Sequence, residues 1–258
     1  MEKNGMKFRK QAIAVVLSTT LLLGATGCGS REENASSGST TTPASSTTEA
    51  TASSTSEITT QATTETTKKP SRIGEVITIG ELGGEPVEWF VVDEKEGALL
   101  LVSRYLLHSK PYNDKYDAVT WETCTLRKWM NEDFFTELFN EKEREKVLKT
   151  KLQVRDNPGY GTPGGNPTED YLFLLSLDEV AKFFPSPAQR ECKPTKYAIE
   201  NKVWEGEGGN CYWWLISPGF DEFNACMIDT SGFIGRMGYR VHNRNLGIRP
   251  AFWMKTEE

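Results

Sequence analysis

Ile248-Arg249-Pro250-Ala251-Phe252-Trp253-Met254 decides the fold, because this apolar, aromatic run near the C-terminus reads as a closing strand. Its partners are sought at the other end of the domain. Glu75 to Leu82 and Val87 to Asp93 read as strands joined across Gly83-Gly84, and Ala98 to Leu106 reads as a third after the Glu96-Gly97 turn. All three are enriched in β-branched and aromatic residues, so a β-meander opens the domain. Strands at both ends with helical spacing between them predict an α+β domain, in which the two termini meet in one antiparallel sheet and short helices are inserted.

The inserted part is Thr123 to Thr150, where Leu126, Trp129, Met130, Phe134, Phe135, Leu138 and Phe139 place apolar groups on one side of a helix. Asn140-Glu141-Lys142-Glu143 has the cap-then-Glu spacing of a fresh start, which predicts two or three short helices in place of one long one. Ser176-Leu177-Asp178-Glu179 repeats that spacing and predicts a helix through Phe184. Asn157 to Asp170, dense in Gly, Pro, Asn and Thr, reads as a long loop of the kind that often carries function. Beyond it, Cys211 to Ile216 and Ala225 to Ile228 read as strands, Asp229-Thr230-Ser231-Gly232 as a turn and Phe233 to Val241 as the hairpin partner.

Two segments precede the domain, which is expected over Ser71 to Glu258. Met1 to Cys28 has the anatomy of a signal peptide: Met6-Lys7-Phe8-Arg9-Lys10 is a basic start, Ala12 to Leu23 an apolar run, and Gly24-Ala25-Thr26-Gly27-Cys28 a small-residue site. The apolar run falls short of the roughly 20 residues a transmembrane helix needs, so cleavage is the expected fate. Gly29 to Pro70 is dominated by Ser, Thr and Ala, lacks the apolar surface to offset the cost of ordering, and reads as a disordered tether. A flexible coil of about 40 residues spans roughly 35 Å root-mean-square and about 140 Å when fully stretched.

The chain carries 30 Lys and Arg against 36 Asp and Glu, a net charge of −6, with the two signs intermixed. No basic stripe appears, so nucleic acid is not an expected partner. Four cysteines follow Cys28: Cys124, Cys192, Cys211 and Cys226. Cys211 and Cys226 could pair, but irregular spacing and a domain of this size favour buried free thiols. Neither CxxC nor HxxxH occurs, so no metal and no cofactor are expected. Ser217 precedes Pro218 outside any nucleophile elbow, and neither His108 nor His242 has an acid partner at motif spacing. Asp221 and Glu222 read as solvated loop charges.

Ala25-Thr26-Gly27-Cys28 resembles the lipobox of bacterial lipoproteins, with Ala25 where Leu is most usual. That resemblance implies that Cys28 carries a diacylglyceryl group, becomes the new N-terminus and anchors the protein to the outer face of the bacterial cell membrane. Four ordered stretches carry a second resemblance: Trp121 to Asn131, Tyr212 to Gly219, Asp229 to Gly232 and Gly247 to Trp253. They are similar, in this order, to a family of bacterial secreted and lipoprotein domains of unknown function. Ile216 departs from the Arg usual in its Trp-Leu-Arg-Ser-Pro-Gly run, and Cys226 from the usual Ala. The terminal pattern of Trp strand, loop, hairpin and Gly-Ile-Arg-Pro strand also looks like the C-type-lectin-like fold shared with formylglycine-generating enzymes.

Calcium-dependent lectins of that fold resemble Glu-Pro-Asn followed by Trp-Asn-Asp; here only Gly165-Asn166-Pro167 is present, so calcium-dependent sugar binding is weakly supported. A formylglycine-type oxidase needs a reactive cysteine pair, for which Cys211 and Cys226 are the candidates. If Tyr212-Trp213-Trp214 is a strand, its rings alternate between faces, so either both faces are covered or a Trp such as Trp214 is left to stack on a ligand. Arg236, Arg240, His242, Asn243, Arg244 and Asn245 gather polar donors in the hairpin and the loop after it, as a solvated rim or as ligand contacts. Arg127 and Arg249 are expected to be structural arginines paired with carboxylates. The leading expectation is a lipid-anchored surface module that binds a cell-wall or host glycan or a surface protein. The alternatives are an exported enzyme using Asp229, His242 or Cys211, and a passive scaffold.

Overall fold

A computed structural model describes residues 70–95 and 97–256, which fall within one compact unit, Glu65–Glu258. The signal-like segment, Cys28 and, apart from Pro70, the Ser/Thr tether lie outside the described residues. No helix among the described residues is long and apolar enough to cross a membrane.

The opening meander forms as the sequence predicts: β1 (Val76–Leu82), β2 (Glu85–Lys95) and β3 (Ala98–Ser103) are antiparallel neighbours. Gly83 and Gly84 make a two-residue turn, both at positive φ (61° and 79°), a geometry that a side chain resists. β3 ends at Ser103, earlier than the expected Leu106, because Leu106 leaves the sheet to bridge Pro194. Every residue of β3 is buried, so both of its faces are covered.

β4 (His108–Ser109) leads into the helical segment, where α1 (Thr125–Trp129), a π-helical turn (Met130–Phe134) and α2 (Phe135–Leu138) run end to end. α3 (Glu141–Arg144) starts anew at Asn140, whose side chain and that of Glu143 form the expected reciprocal cap. Phe139 seats this segment on the first sheet, meeting Phe252 at 5.1 Å and Trp89 at 6.1 Å between ring centres. β5 (Val147–Leu148) and the ribbon of β6 (Thr150–Leu152) and β7 (Thr168–Asp170) follow, so the expected loop ends in a short strand. α4 (Leu177–Phe183) carries its capping box at Ser176 and Glu179, and α5 (Pro187–Arg190) and α6 (Lys196–Glu200) complete the helices described.

The last third departs from expectation in its partnering. β8 (Trp213–Pro218), β9 (Asn224–Ile228) and β10 (Ile234–Arg240) belong to a second five-stranded sheet. The run expected as one strand over 248–254 is two: β11 (Gly247–Ile248) joins the second sheet and β12 (Ala251–Lys255) the first. Pro250, which has no N–H to offer a ladder, marks the crossing. The first sheet has the order β1-β2-β3-β12-β5 and the second β10-β9-β8-β11-β4. The two ends of the domain do meet in one antiparallel sheet, through β3 and β12. The second sheet is mixed, since β11 lies parallel to β8.

The expected Arg127 pair is present. Asp170, fully buried, accepts from Arg127 Nε at 2.7 Å, Trp121 Nε1 at 2.9 Å and Thr168 Oγ1 at 2.7 Å. Arg249 corrects the parallel expectation: it is buried, yet among the described residues it pairs with no carboxylate, and its Nε donates to the Ser103 carbonyl at 3.1 Å. The cysteines Cys124, Cys192, Cys211 and Cys226 are all buried free thiols, so Cys211 and Cys226 are unpaired.

Two stability predictions follow from these buried groups. Asp170→Ala strands an arginine, an indole N–H and a hydroxyl together and is expected to cost about 3–5 kcal/mol in urea unfolding, with Asp170→Asn costing less. His108, packed against Trp129 at 4.9 Å and Tyr197 at 5.6 Å, has its pKa pushed below the ordinary 6.5, chiefly by burial and further by Lys110, against the opposing pull of the Ser109 backbone and Glu137. The unfolded chain therefore takes up a proton near pH 6.5 that the folded chain refuses, and stability falls as pH drops below that point. Urea midpoints between about pH 7.5 and 5.5 should decline, with a shallower decline in His108→Gln.

Candidate functional site

The hairpin of β9 and β10 and the loop after it build the most ligand-like surface. β10 slips register against β9 between Gly235 and Tyr239, and Gly238 there sits at φ 78° with the Ala225 carbonyl where a Cβ would stand. Such a bulge re-aims the residues that follow it. Tyr239 and Arg240 emerge exposed.

The loop over 241–246 is held from several sides. Asn243 N donates to the Arg240 carbonyl at 3.0 Å, and Asn243 Oδ1 accepts from Asn245 N at 2.9 Å, closing an Asx turn. Ser109 Oγ bonds the carbonyls of Arg244 (2.8 Å) and Leu246 (3.2 Å) from beneath. Trp204 N donates to the Asn245 carbonyl at 3.0 Å and so fixes a tryptophan from the α6–β8 connection at the loop's edge.

The result is two adjoining depressions that share Tyr239 and Asn243. One, of about 330 Å³, is lined by Trp204, Tyr212, Tyr239, Asn243, Asn245 and Leu246. Trp204 is 50% exposed and Tyr239 44%, and the rings of Trp204 and Tyr212 lie 5.6 Å apart. The other, of about 530 Å³, adds Asn224, Gly238, Arg240 and His242. Its flank is Tyr116, half exposed, with the His242 ring at 4.9 Å and the Arg240 guanidinium at 5.8 Å. Asn243 spends its carbonyl on the Asx turn and keeps its amide donors available among the described hydrogen bonds.

Of the residues singled out from the sequence, Arg240, His242, Asn243 and Asn245 come together here. Arg236 and Arg244 are exposed but line neither depression. Trp214 is corrected outright. It is fully buried, its Nε1 donates to the Lys110 carbonyl at 3.0 Å and its ring meets Tyr112 at 5.8 Å, so it cannot face a ligand. Trp213 is equally buried, with Nε1 on the Arg190 carbonyl, and both faces of β8 are covered. The exposed tryptophan is Trp204. The signal for it in the sequence is weak: Trp204 stands at the start of the polar run Glu205-Gly206-Glu207-Gly208-Gly209, but beside the apolar Val203.

Asp229 and Ser217, considered for catalysis, are engaged in local hydrogen bonds. Asp229 Oδ1 accepts from Ser231 N, Ser231 Oγ and Phe233 N, which makes it the organiser of the turn before β10. Ser217 Oγ accepts from Leu177 N at the start of α4. Burial pushes the thiols of Cys211 and Cys226 up to about 12, the protonated and unreactive direction. Among the described residues no group of three or more His, Cys, Asp or Glu is placed to hold a metal ion.

An α+β domain of two five-stranded sheets carrying an aromatic and amide cleft is thus the class of protein defined here. The family model described as "Domain of unknown function (DUF6273)" matches residues 96–256, which include the cleft and both halves of the 247–255 crossing, and the chain belongs to that family. No curated protein and no solved structure matches the chain.

Proposed function

We propose that this protein is a cell-surface binding module, anchored through lipidated Cys28, that recognises a glycan in the cleft formed by Trp204, Tyr212, Tyr239, Asn243 and Asn245. The observation that carries the reading is the convergence of three aromatic rings and two asparagines on one depression. Aromatic faces stack on the C–H faces of a sugar ring, while amides bond its hydroxyls, and the loop that presents the two asparagines is already tied down by Ser109 and Trp204. Arg240 and His242 in the adjoining depression extend the surface toward a second, more polar sugar unit. A C-type-lectin-like fold suits this reading, its support being the strand from the C-terminal end in the first sheet and a second sheet that bears the loops.

Binding of purified full-length protein to a panel of wall fragments and host glycans tests the proposal. Saturable binding is expected, unchanged by a chelator, and reduced about tenfold by Trp204→Ala or Tyr239→Ala at unaltered melting temperature. Absence of binding to any glycan, or full binding by both variants, would overturn it in favour of a protein partner. The anchor is tested separately: Cys28→Ser should abolish incorporation of labelled fatty acid and move the protein from the membrane to the soluble fraction.

A further inference from the structure

A separate depression of about 590 Å³ has Arg249 in its lining, together with Phe90, Phe184, Arg104, Lys193 and Asn210. Arg249 is only 1% exposed. Its guanidinium carbon lies 4.5 Å from the Phe184 ring centre and 5.0 Å from that of Trp213, so aromatic rings attend its faces. Nε is used on the Ser103 carbonyl. Nη1, however, has no hydrogen-bond partner among the described residues, and neither has Ser103 Oγ, on the very residue that takes Nε.

A buried cation left without a counter-ion is costly, and aromatic stacking returns only part of that cost. This protein meets the same problem elsewhere with a carboxylate of its own, since Arg127 has Asp170. At Arg249 the chain supplies none among the described residues. The surroundings indicate what kind of anion suits the place. Phe90, Val91, Val92, Phe183 and Phe184 give an apolar wall. Lys193, exposed, and Arg104, half-buried and shared with Glu88 at 3.2 Å, put positive charge along it, against the single carboxylate of Glu191.

We propose that this depression binds a carboxylate carried on an apolar body, anchored by the Arg249 guanidinium, whose enclosed Nη1 has no hydrogen-bond partner among the described residues. A peptide C-terminus and a free carboxylic acid share that chemistry. The site is independent of the glycan cleft, and none of the residues named for one lines the other.

Calorimetric titration and thermal shift of the full-length protein test it with five probes: an N-acetylated apolar tripeptide with a free C-terminus, its C-terminal amide, hexanoate, hexanamide and inorganic phosphate. Both acids, or one of them, should bind and raise the melting temperature, with the matching amide at least tenfold weaker, and with affinity falling as salt rises. The tighter acid identifies the source. Lys193→Glu, an exposed substitution that should not disturb folding, is expected to weaken the acids about fivefold. Arg249→Lys keeps the charge but loses the planar fork and should weaken them more than tenfold. Trp204→Ala should leave acid binding unchanged, which separates this result from the glycan proposal. If Arg249→Lys does not fold, the acid and amide pairs together with Lys193→Glu still decide. Equal binding of acids and amides, phosphate binding as tightly as the acids, no binding by any probe, or indifference of the acids to Lys193→Glu and any folded Arg249→Lys would each overturn it.

Discussion

The fold hangs on nine residues, Gly247 to Lys255, that serve two sheets in succession. Gly247 and Ile248 pair with Ser109 and His108 of β4, and Gly247 with Trp213 of β8, which completes the second sheet. Three residues later Ala251 is paired with Val102, and β12 runs on between β3 and β5 in the first. The crossing is sealed at Ser103: its N–H donates to the Pro250 carbonyl at 3.0 Å and its carbonyl accepts Arg249 Nε. A chain leaving one ladder for another would ordinarily expose backbone groups to an apolar interior, and this exchange satisfies them. Proline at the hinge has no N–H to strand, and the arginine side chain supplies a donor that the backbone there lacks.

That same junction fixes the relation between scaffold and cleft. Ser109 is paired with Gly247 through its backbone and holds Arg244 and Leu246 through its hydroxyl, so the loop over 241–246 inherits its position from the sheet beneath it. Trp204 is in turn referred to that loop through Asn245. The cleft is therefore assembled from residues far apart in sequence but is positioned by short, direct bonds to strands, the arrangement expected of a site that must be preorganised.

Much of the local structure was legible because it depends on neighbours in sequence. The capping boxes at Asn140 and Ser176 are four-residue events and both form. The Gly83-Gly84 hairpin and the Asp229 turn are of the same kind. Arg127 found its carboxylate as expected. What could not be read was partnership at long range: alternation and apolar runs announce a strand but not the sheet that receives it, so the division of 248–254 between two sheets was invisible. For the same reason the sequence could not say which face of β8 is covered, and Trp214 was a ligand contact only as long as Lys110 and Tyr112 were not known to enclose it. Trp204 carries little signal of its own, because one tryptophan between Val203 and a polar run is compatible with burial and with exposure alike.

The position of β12 has a kinetic side. In the order of the chain it comes after every other strand of its sheet, yet in space it lies in the interior, between β3 and β5. Until residues 251–255 arrive, β3 presents an open edge that is apolar from Ala98 to Val102, and β5 has no partner in the first sheet. Pairings so distant in sequence slow folding through the entropy of closing a long loop, and open apolar edges invite association with other chains. The first sheet therefore cannot be completed stepwise from its early strands; its closure waits for β12.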